Sequence, residues 1–355
     1  MAKRIRIGVV YGGRSSEHAI SVVSAGSVLG ALDPERYEVV TIGITRAGGW
    51  VRTEVQPGQL AITDGRLPEV TELPGSSTEP NPGPRELAVF GRQSAVEQLD
   101  GLDVVLPLLH GAYGEDGTIQ GLFEMAGIPY VGSGVLASAA AMDKVFAKIV
   151  LAAAGLEVAP YVVARRGVTI LDVEHLGLPL FVKPARAGSS VGITKVRSYD
   201  ELPDALELAF EHDSKVLVEA AVVGRELECG VLQDADGTVS ASLPAEIRLR
   251  PDFDWYDFEA KYLTDASEFD IPADIGEPAV KALQELACQV FQALDCAGLA
   301  RVDCFLTTDG RLVVNEVNTM PGFTPISMYP KMWAATGVGY AELLDRLIAT
   351  ALSKR

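Results

Sequence analysis

The sequence predicts an α/β protein that opens on a parallel sheet. Two observations carry the prediction. β-Branched runs alternate with helical stretches from the N-terminus onward, the βαβ rhythm of a parallel sheet covered by helices. Near the C-terminus, residues 301–318 (RVDCFLTTDGRLVVNEVN) read as two apolar-rich runs joined at Asp309-Gly310, the strongest short hairpin signal a sequence offers. A length of 355 residues allows two or three domains, and 48% hydrophobic with 22% charged residues is the balance of a soluble globular chain with ample core.

Arg4 to Tyr11 is a first strand, and its apolar run stops at Gly12-Gly13, too short for a signal peptide. Glu17 to Leu32 follows as a helix, Tyr37 to Ile44 as a second strand, Val104 to Leu109 as a buried strand and Thr118 to Ala126 as a helix. Leu73 to Pro84 (LPGSSTEPNPGP) is an exposed loop. One long helix is expected from Ser138 to Ala154, closed by Gly155. Short strands follow at Leu180–Lys183, Val191–Val196 and Val216–Glu219, with a helix from Asp200 to His212. A helix over Pro278–Leu294 puts Val280, Leu283, Leu286, Val290, Phe291 and Leu294 on one face, ahead of the hairpin. Boundaries near Ala140 and Arg225 divide the chain into 1–140, 141–225 and 226–355.

A net charge of −18 argues against a nucleic-acid or membrane-surface partner, and no apolar run reaches membrane-spanning length. It leaves room for a small anionic ligand held by local lysines and arginines. Cys229, Cys288, Cys296 and Cys304 show no pairing or metal-type spacing, as in a reduced cytosolic protein. His18, His110, His175 and His212 are too scattered for a zinc motif.

With Asp309 and Gly310 as a two-residue turn, Thr308 faces Arg311, Asp303 lies opposite Glu316, and Arg301 opposite Asn318. Side chains alternate along strands, so these last four share a face with Phe305, Leu312 and Val314. Val302, Cys304, Leu306, Val313 and Val317 fill the other. Two facing carboxylates repel unless a cation lies between them, and oxygen-only ligands suit Mg²⁺ or Mn²⁺. The alternative is a solvated hairpin with charged ends; apolar residues on both faces argue against it.

Other segments carry candidate chemistry. Gly12 to Glu17 ends a strand and opens a helix, where open α/β sheets place ligands. Ser15 or Ser16 can cap that helix, and Glu17 either complements its dipole or also binds an ammonium. Lys183 to Gly192 (KPARAGSSVG) is either a donor-rich phosphate loop, although not a Walker A loop, or an ordinary connection. His110, in the glycine-rich stretch Leu109–Thr118, is structural or functional. Asp252 to Tyr262 is an aromatic lid or a loop anchored in the core. In Met320 to Thr324, a glycine N–H can face an oxyanion.

Taken in order, GGRSSEHAIS (Gly12–Ser21), LHGAYGEDGTIQG (Leu109–Gly121), MDK (Met142–Lys144), VKPARAGSSVG (Val182–Gly192), VLVEA (Val216–Ala220), AKYL (Ala260–Leu263), RVD (Arg301–Asp303) and NEVNTMPGFTPISMYP (Asn315–Pro330) resemble the D-alanine–D-alanine ligase family of ATP-grasp enzymes. The ordered match covers almost the whole chain. It implies an ATP-grasp fold, α+β in its ATP-binding part, behind an N-terminal parallel-sheet (preATP-grasp) domain.

Residue by residue, the resemblance implies that Lys144 and Lys183 contact ATP phosphates, Glu219 with Ala220, Ala221 and Val222 holds adenine, and Glu226 holds the ribose. Asp303, Glu316 and Asn318 would bind two Mg²⁺ or Mn²⁺ ions. Glu17 would hold the first D-alanine's ammonium, with His110 near its carboxylate. Ser189, Tyr262 and Glu17 would link to close the lid, with Lys261 at the γ-phosphate. Arg301 and the Gly322 N–H would stabilise an oxyanion, with Ser327 and Met328 at the second substrate. A bacterial, cytoplasmic homodimer making D-alanyl-D-alanine for peptidoglycan is implied. D-Alanine–D-lactate ligation is the near alternative, which Tyr262 disfavours, and a non-catalytic nucleotide-binding module is the remote one.

Overall fold

The computed structural model describes residues 3–62, 68–70, 95–167, 172–188, 190–249 and 267–353. The loop expected over Leu73–Pro84, the candidate lid over Asp252–Tyr262, and the candidate residues Ser189, Lys261 and Tyr262 lie outside the described residues.

Strands β1 (Ile5–Gly12), β2 (Tyr37–Ile44), β3 (Trp50–Thr53) and β4 (Val104–Pro107) form a sheet of order β3-β2-β1-β4. Its centre is parallel, as expected: β1 pairs parallel with both β2 and β4, and only β3 runs antiparallel. Helices α1 (His18–Ala31), α2 (Ala95–Leu99) and α3 (Thr118–Ala126) accompany it. Neither Ser15 nor Ser16 caps α1. Glu17 holds the cap position without a side-chain capping bond, and Ser15 Oγ accepts the Glu17 N–H at 3.2 Å.

The single helix expected over Ser138–Ala154 is two, α4 (Val135–Met142) and α5 (Lys144–Ala153). Asp143 breaks the run with extended backbone (φ −88°, ψ 99°) and accepts the N–H groups of Val145 and Phe146. Its carboxylate also pairs with buried Lys215. A capping acid offers the backbone an alternative to helix, which apolar periodicity does not register. The expected stop holds, with Gly155 at φ +79°.

Strands β5 (Tyr161–Arg165), β6 (Leu180–Pro184), β7 (Thr194–Val196) and β8 (Lys215–Ala220) make an antiparallel sheet of order β5-β8-β6-β7, packed on α6 (Leu202–His212). The expected strand at Val191 starts only at Thr194, because Ser190 (φ +58°) and Gly192 (φ +70°) adopt left-handed backbone no strand accommodates.

The third sheet, antiparallel, comprises β9 (Gly224–Gln233), β10 (Val239–Ala241), β11 (Ala245–Leu249), β12 (Ser267–Asp270), β13 (Leu299–Thr307) and β14 (Leu312–Asn318). Helix α7 (Glu277–Ala293) covers one side through Leu283, Val290 and Phe291, which pack with Val302, Cys304 and Val314. Helices α8 (Met328–Ala335) and α9 (Tyr340–Ser353) close the chain. They return to the first sheet: Trp333, Leu343 and Leu347 share a core with Ile7, Val9 and Leu106.

The β13–β14 hairpin keeps its predicted ends by a different route. Its turn is not the two-residue Asp309-Gly310. Thr307 faces Arg311, Gly310 (φ +86°) donates its N–H to the Thr307 carbonyl at 3.0 Å, and Thr308, Asp309 and Gly310 form a three-residue loop. Cys304 then pairs with Val314, and Asn315 bulges out of the ladder. The extra residue on each strand cancels, so Asp303 still faces Glu316 and Arg301 faces Asn318. Between turn and bulge the predicted faces exchange: Val314 and Leu312 join the core with Cys304, while Val313 pairs across from Phe305.

Candidate active site

The polar face of the hairpin extends one strand further than the sequence indicated. Strand β9 runs beside β13 with Glu228 opposite Asp303, so Glu228, Asp303 and Glu316 stand in a row across three strands. Glu228 and Asp303 are only 4% and 5% exposed. Arg301 donates from Nε and Nη2 to the two Asp303 oxygens, both at 2.7 Å, and its Nε lies 3.3 Å from Glu228 Oε1. Burial alone would lower the Arg301 pKa, but Asp303 and Glu228 hold it well above the usual value. Asn318 donates to Asp303 at 3.1 Å, and Lys144 Nζ lies 3.5 Å from Glu316. Like charges that repel on a bare sheet are here interleaved with cations.

This face forms a wall of a cavity of about 300 Å³. Lys183 on β6, Glu219 and Ala220 on β8, the following Ala221 and Val222, and Glu226 on β9 also line it. The Ala220 and Ala221 N–H groups donate to the carbonyls of Pro160 (2.9 Å) and Pro179 (3.1 Å), which limits what those two alanines offer a ligand. Lys183 Nζ donates to Glu219 at 2.6 Å; burial would lower its pKa, but Glu219 outweighs that and raises it. Lys144, the first residue of α5, donates to the Ala187 carbonyl at 2.8 Å. Arg186, in the candidate phosphate loop, turns aside and chelates Asp213.

A second cavity of about 410 Å³ gathers Glu17, His110, Arg301, Gly322, Ser327 and Met328. The Glu17 carboxylate reaches between two loops: a Cβ on Gly111 would stand 3.0 Å from its Oε2, and one on Gly188 3.4 Å. Glycine permits that approach. His110 Nδ1 donates to the Met320 carbonyl at 3.0 Å, and its Nε2 is buried with no hydrogen-bond partner among the described residues. Burial lowers the His110 pKa despite the opposing pull of Glu17, favouring a neutral ring whose Nε2 carries a lone pair. Such a nitrogen meets a carboxylate only after protonation, which a nearby negative charge favours. Ser327 Oγ accepts the Thr324 N–H at 3.1 Å and lies 2.8 Å from Thr324 Oγ1.

Sequence reasoning passed over Glu228, Asn315, Lys148 and Glu115. Glu228 repeats Glu226 at strand period, and Lys148 follows Lys144 by one helical turn, so both had a usable signal. Glu115 accepts the Gly111 N–H at 3.0 Å, and burial together with the Glu17 charge pushes its carboxyl up to about 8. Asn315 reaches the first cavity because of the bulge, for which the sequence carried no signal.

Comparison with known proteins defines the class. VanG D-Ala:D-Ser ligase from Enterococcus faecalis superposes with a TM-score of 0.80 at 34% identity, covering 98% of this chain and 100% of that one. The D-alanine–D-alanine ligase from Bacillus anthracis, complexed with ATP, gives 0.75 at 29% identity, covering 98% and 97%. The fold is therefore that of the ATP-grasp ligases. Models of the N-terminus and C-terminus of D-ala D-ala ligase match residues 6–133 and 150–349. A D-alanine–D-alanine ligase of Mycolicibacterium gilvum is 57% identical over 364 residues, covering 100% of this chain and 99% of that protein. The chain belongs to the D-alanine–D-alanine ligase family.

Proposed function

We propose that the chain joins two D-alanine molecules into D-alanyl-D-alanine, coupled to conversion of ATP to ADP and phosphate, as a step of peptidoglycan precursor synthesis in the bacterial cytoplasm. One observation carries the site reading. The two cavities share a wall that includes Lys144, Gly188 and Glu316, so a nucleotide phosphate in one faces an amino-acid carboxylate in the other. Among the described residues no helix is long and apolar enough to cross a membrane.

In this reading a first D-alanine carboxylate oxygen attacks the γ-phosphorus and ADP departs. The amine of a second D-alanine then attacks the acyl carbon, and phosphate leaves as the amide bond forms. Lys144 and Lys183 orient the phosphates, Glu219 and residues 220–222 hold adenine, and Glu226 holds the ribose. Asp303, Glu316 and Asn318 offer hard oxygens; two carboxylates and an amide would hold Mg²⁺ or Mn²⁺, which when bound would supply charge neutralisation for phosphoryl transfer.

Glu17 faces the first substrate's ammonium and His110 its carboxylate. Arg301 and the Gly322 N–H face the oxyanion of the second step, and Ser327 with Met328 receives the second substrate. Resemblance to the family assigns Ser189, Tyr262 and Lys261, which lie outside the described residues, to lid closure and the γ-phosphate. Segments 1–140, 141–225 and 226–355 serve as substrate-binding, central ATP-binding and metal-bearing parts, assembled as a homodimer that sedimentation can check.

The decisive assay follows phosphate release from Mg-ATP with D-alanine alone, then with D-lactate or D-serine added, identifying products by mass. D-Alanyl-D-alanine is expected as the main product throughout. Absence of D-alanine-dependent ADP formation would overturn the reading.

A further inference from the structure

Lys148 lies on α5 one turn beyond Lys144 and is 2% exposed, yet it lines neither cavity. Its Nζ is in ion-pair contact with Glu219 Oε1, while Glu219 Oε2 accepts from Lys183. One buried carboxylate therefore holds two ammonium groups, one on each oxygen. Burial alone would raise the Glu219 carboxyl, but Lys183 and Lys148 together hold it below the usual range; burial pulls the Lys148 ammonium down, and the contact with Glu219 is what favours its charged form. A buried ammonium is costly unless paired, and an aliphatic side chain would fill the Lys148 position without that cost. The arrangement has a consequence for the nucleotide. A lone Lys183–Glu219 pair is neutral and attracts phosphate weakly; with Lys148 added, the cluster carries one net positive charge.

We propose that Lys148 is a positioning residue of the nucleotide site: by occupying Glu219 Oε1 it fixes that carboxylate along the cavity wall and leaves the charge of Lys183 available to the nucleotide phosphates. This rests on reading the first cavity as the ATP site. Lys148 acts through Glu219 and touches no substrate.

The test compares the full-length wild type with Lys148→Met and with the conservative variant Lys148→Arg. It measures ADP affinity by calorimetry, KM for ATP and for D-alanine, kcat, and Tm. Lys148→Met is expected to weaken ADP binding and raise KM for ATP roughly tenfold or more, the scale of one charge-assisted contact, with KM for D-alanine and saturated kcat within about twofold. In Lys148→Arg a cation still meets Glu219 Oε1, so ADP affinity is expected to recover above that of Lys148→Met. A purely structural lysine predicts the opposite pattern. Lower Tm of Lys148→Met with KM for ATP unchanged, or a folded Lys148→Arg that binds ADP no better than Lys148→Met, would overturn the proposal. A wild type that binds no ADP would instead overturn the nucleotide reading itself.

Discussion

Glu316 differs from the other two acids of the carboxylate row in how it is held. Arg301 clamps Asp303 and approaches Glu228, whereas Glu316 is half-buried with Lys144 Nζ 3.5 Å away. The cation in contact with it, Lys144, is itself partly exposed. Glu316→Ala is expected to abolish D-alanine-dependent ADP formation while leaving Tm within a few degrees; near-normal kcat would show that the hairpin face is not the metal site. Glu115 makes a prediction of a different kind. Its carboxyl titrates near 8 in the folded protein against about 4.3 in an unfolded chain, so between those values the native state holds a proton that the unfolded state has released. Stability contributed by this group falls as pH rises through that window and levels off above it. Glu115→Gln cannot ionise and escapes the loss. The Tm of that variant minus that of wild type is expected to grow from roughly pH 5 to pH 8, and a flat difference would refute the assignment.

At the scale of elements, the break between α4 and α5 places the phosphate-facing lysine. Asp143 ends one helix and caps the next, and Lys144 is its first residue. Asp143→Ala removes two capping bonds and leaves Lys215 buried beside no carboxylate at that position. A loss of about 3–5 kcal/mol in urea unfolding is expected, with a raised KM for ATP as Lys144 loses its register. Sequence legibility divided along the same line between local and distant causes. β-Branched runs revealed β1, which is buried on both faces, and β2, while helical period revealed α3, α6 and α7, each of which buries one face. Turn counting and strand alternation gave the candidate residues on β13 and β14, and motif order assigned roles to them and to the strand-end loops. The Asp143 cap, the bulge at Asn315 and the Glu228–Arg301 contact depend on hydrogen bonds and partners that period does not encode. Lys148 stood at helical spacing from Lys144, but its pairing was hidden for the same reason: Glu219 lies on β8 and meets it only after folding.

Across the whole molecule, the two ends of the chain are one body. The Tyr37 hydroxyl donates to Asp345 at 2.7 Å, Arg36 pairs with the same carboxylate, and α9 buries Leu343 and Leu347 against the core of the first sheet. The second cavity has the same dual origin, with Glu17 and His110 from the first sheet's loops and residues 320–328 from beyond β14. His110 joins the two directly through Met320. Leu347→Ala should then cost about 2–5 kcal/mol through the cavity it leaves. Because the damaged core supports both sides of the substrate cavity, urea titration is expected to show loss of D-alanine turnover coinciding with loss of secondary structure. Activity surviving well beyond the structural transition would contradict a shared core.

The bulge at Asn315 behaves as a slip joint. It takes up the odd residue left by a three-membered turn, and so insulates the facing pair Asp303 and Glu316 from the length of the loop that joins them. A hairpin one residue shorter can lose the bulge, and one residue longer can widen the turn, with the acids still opposed. Natural insertions and deletions at this tip are therefore expected to leave turnover intact, a freedom that a regular ladder with a tight turn would not possess.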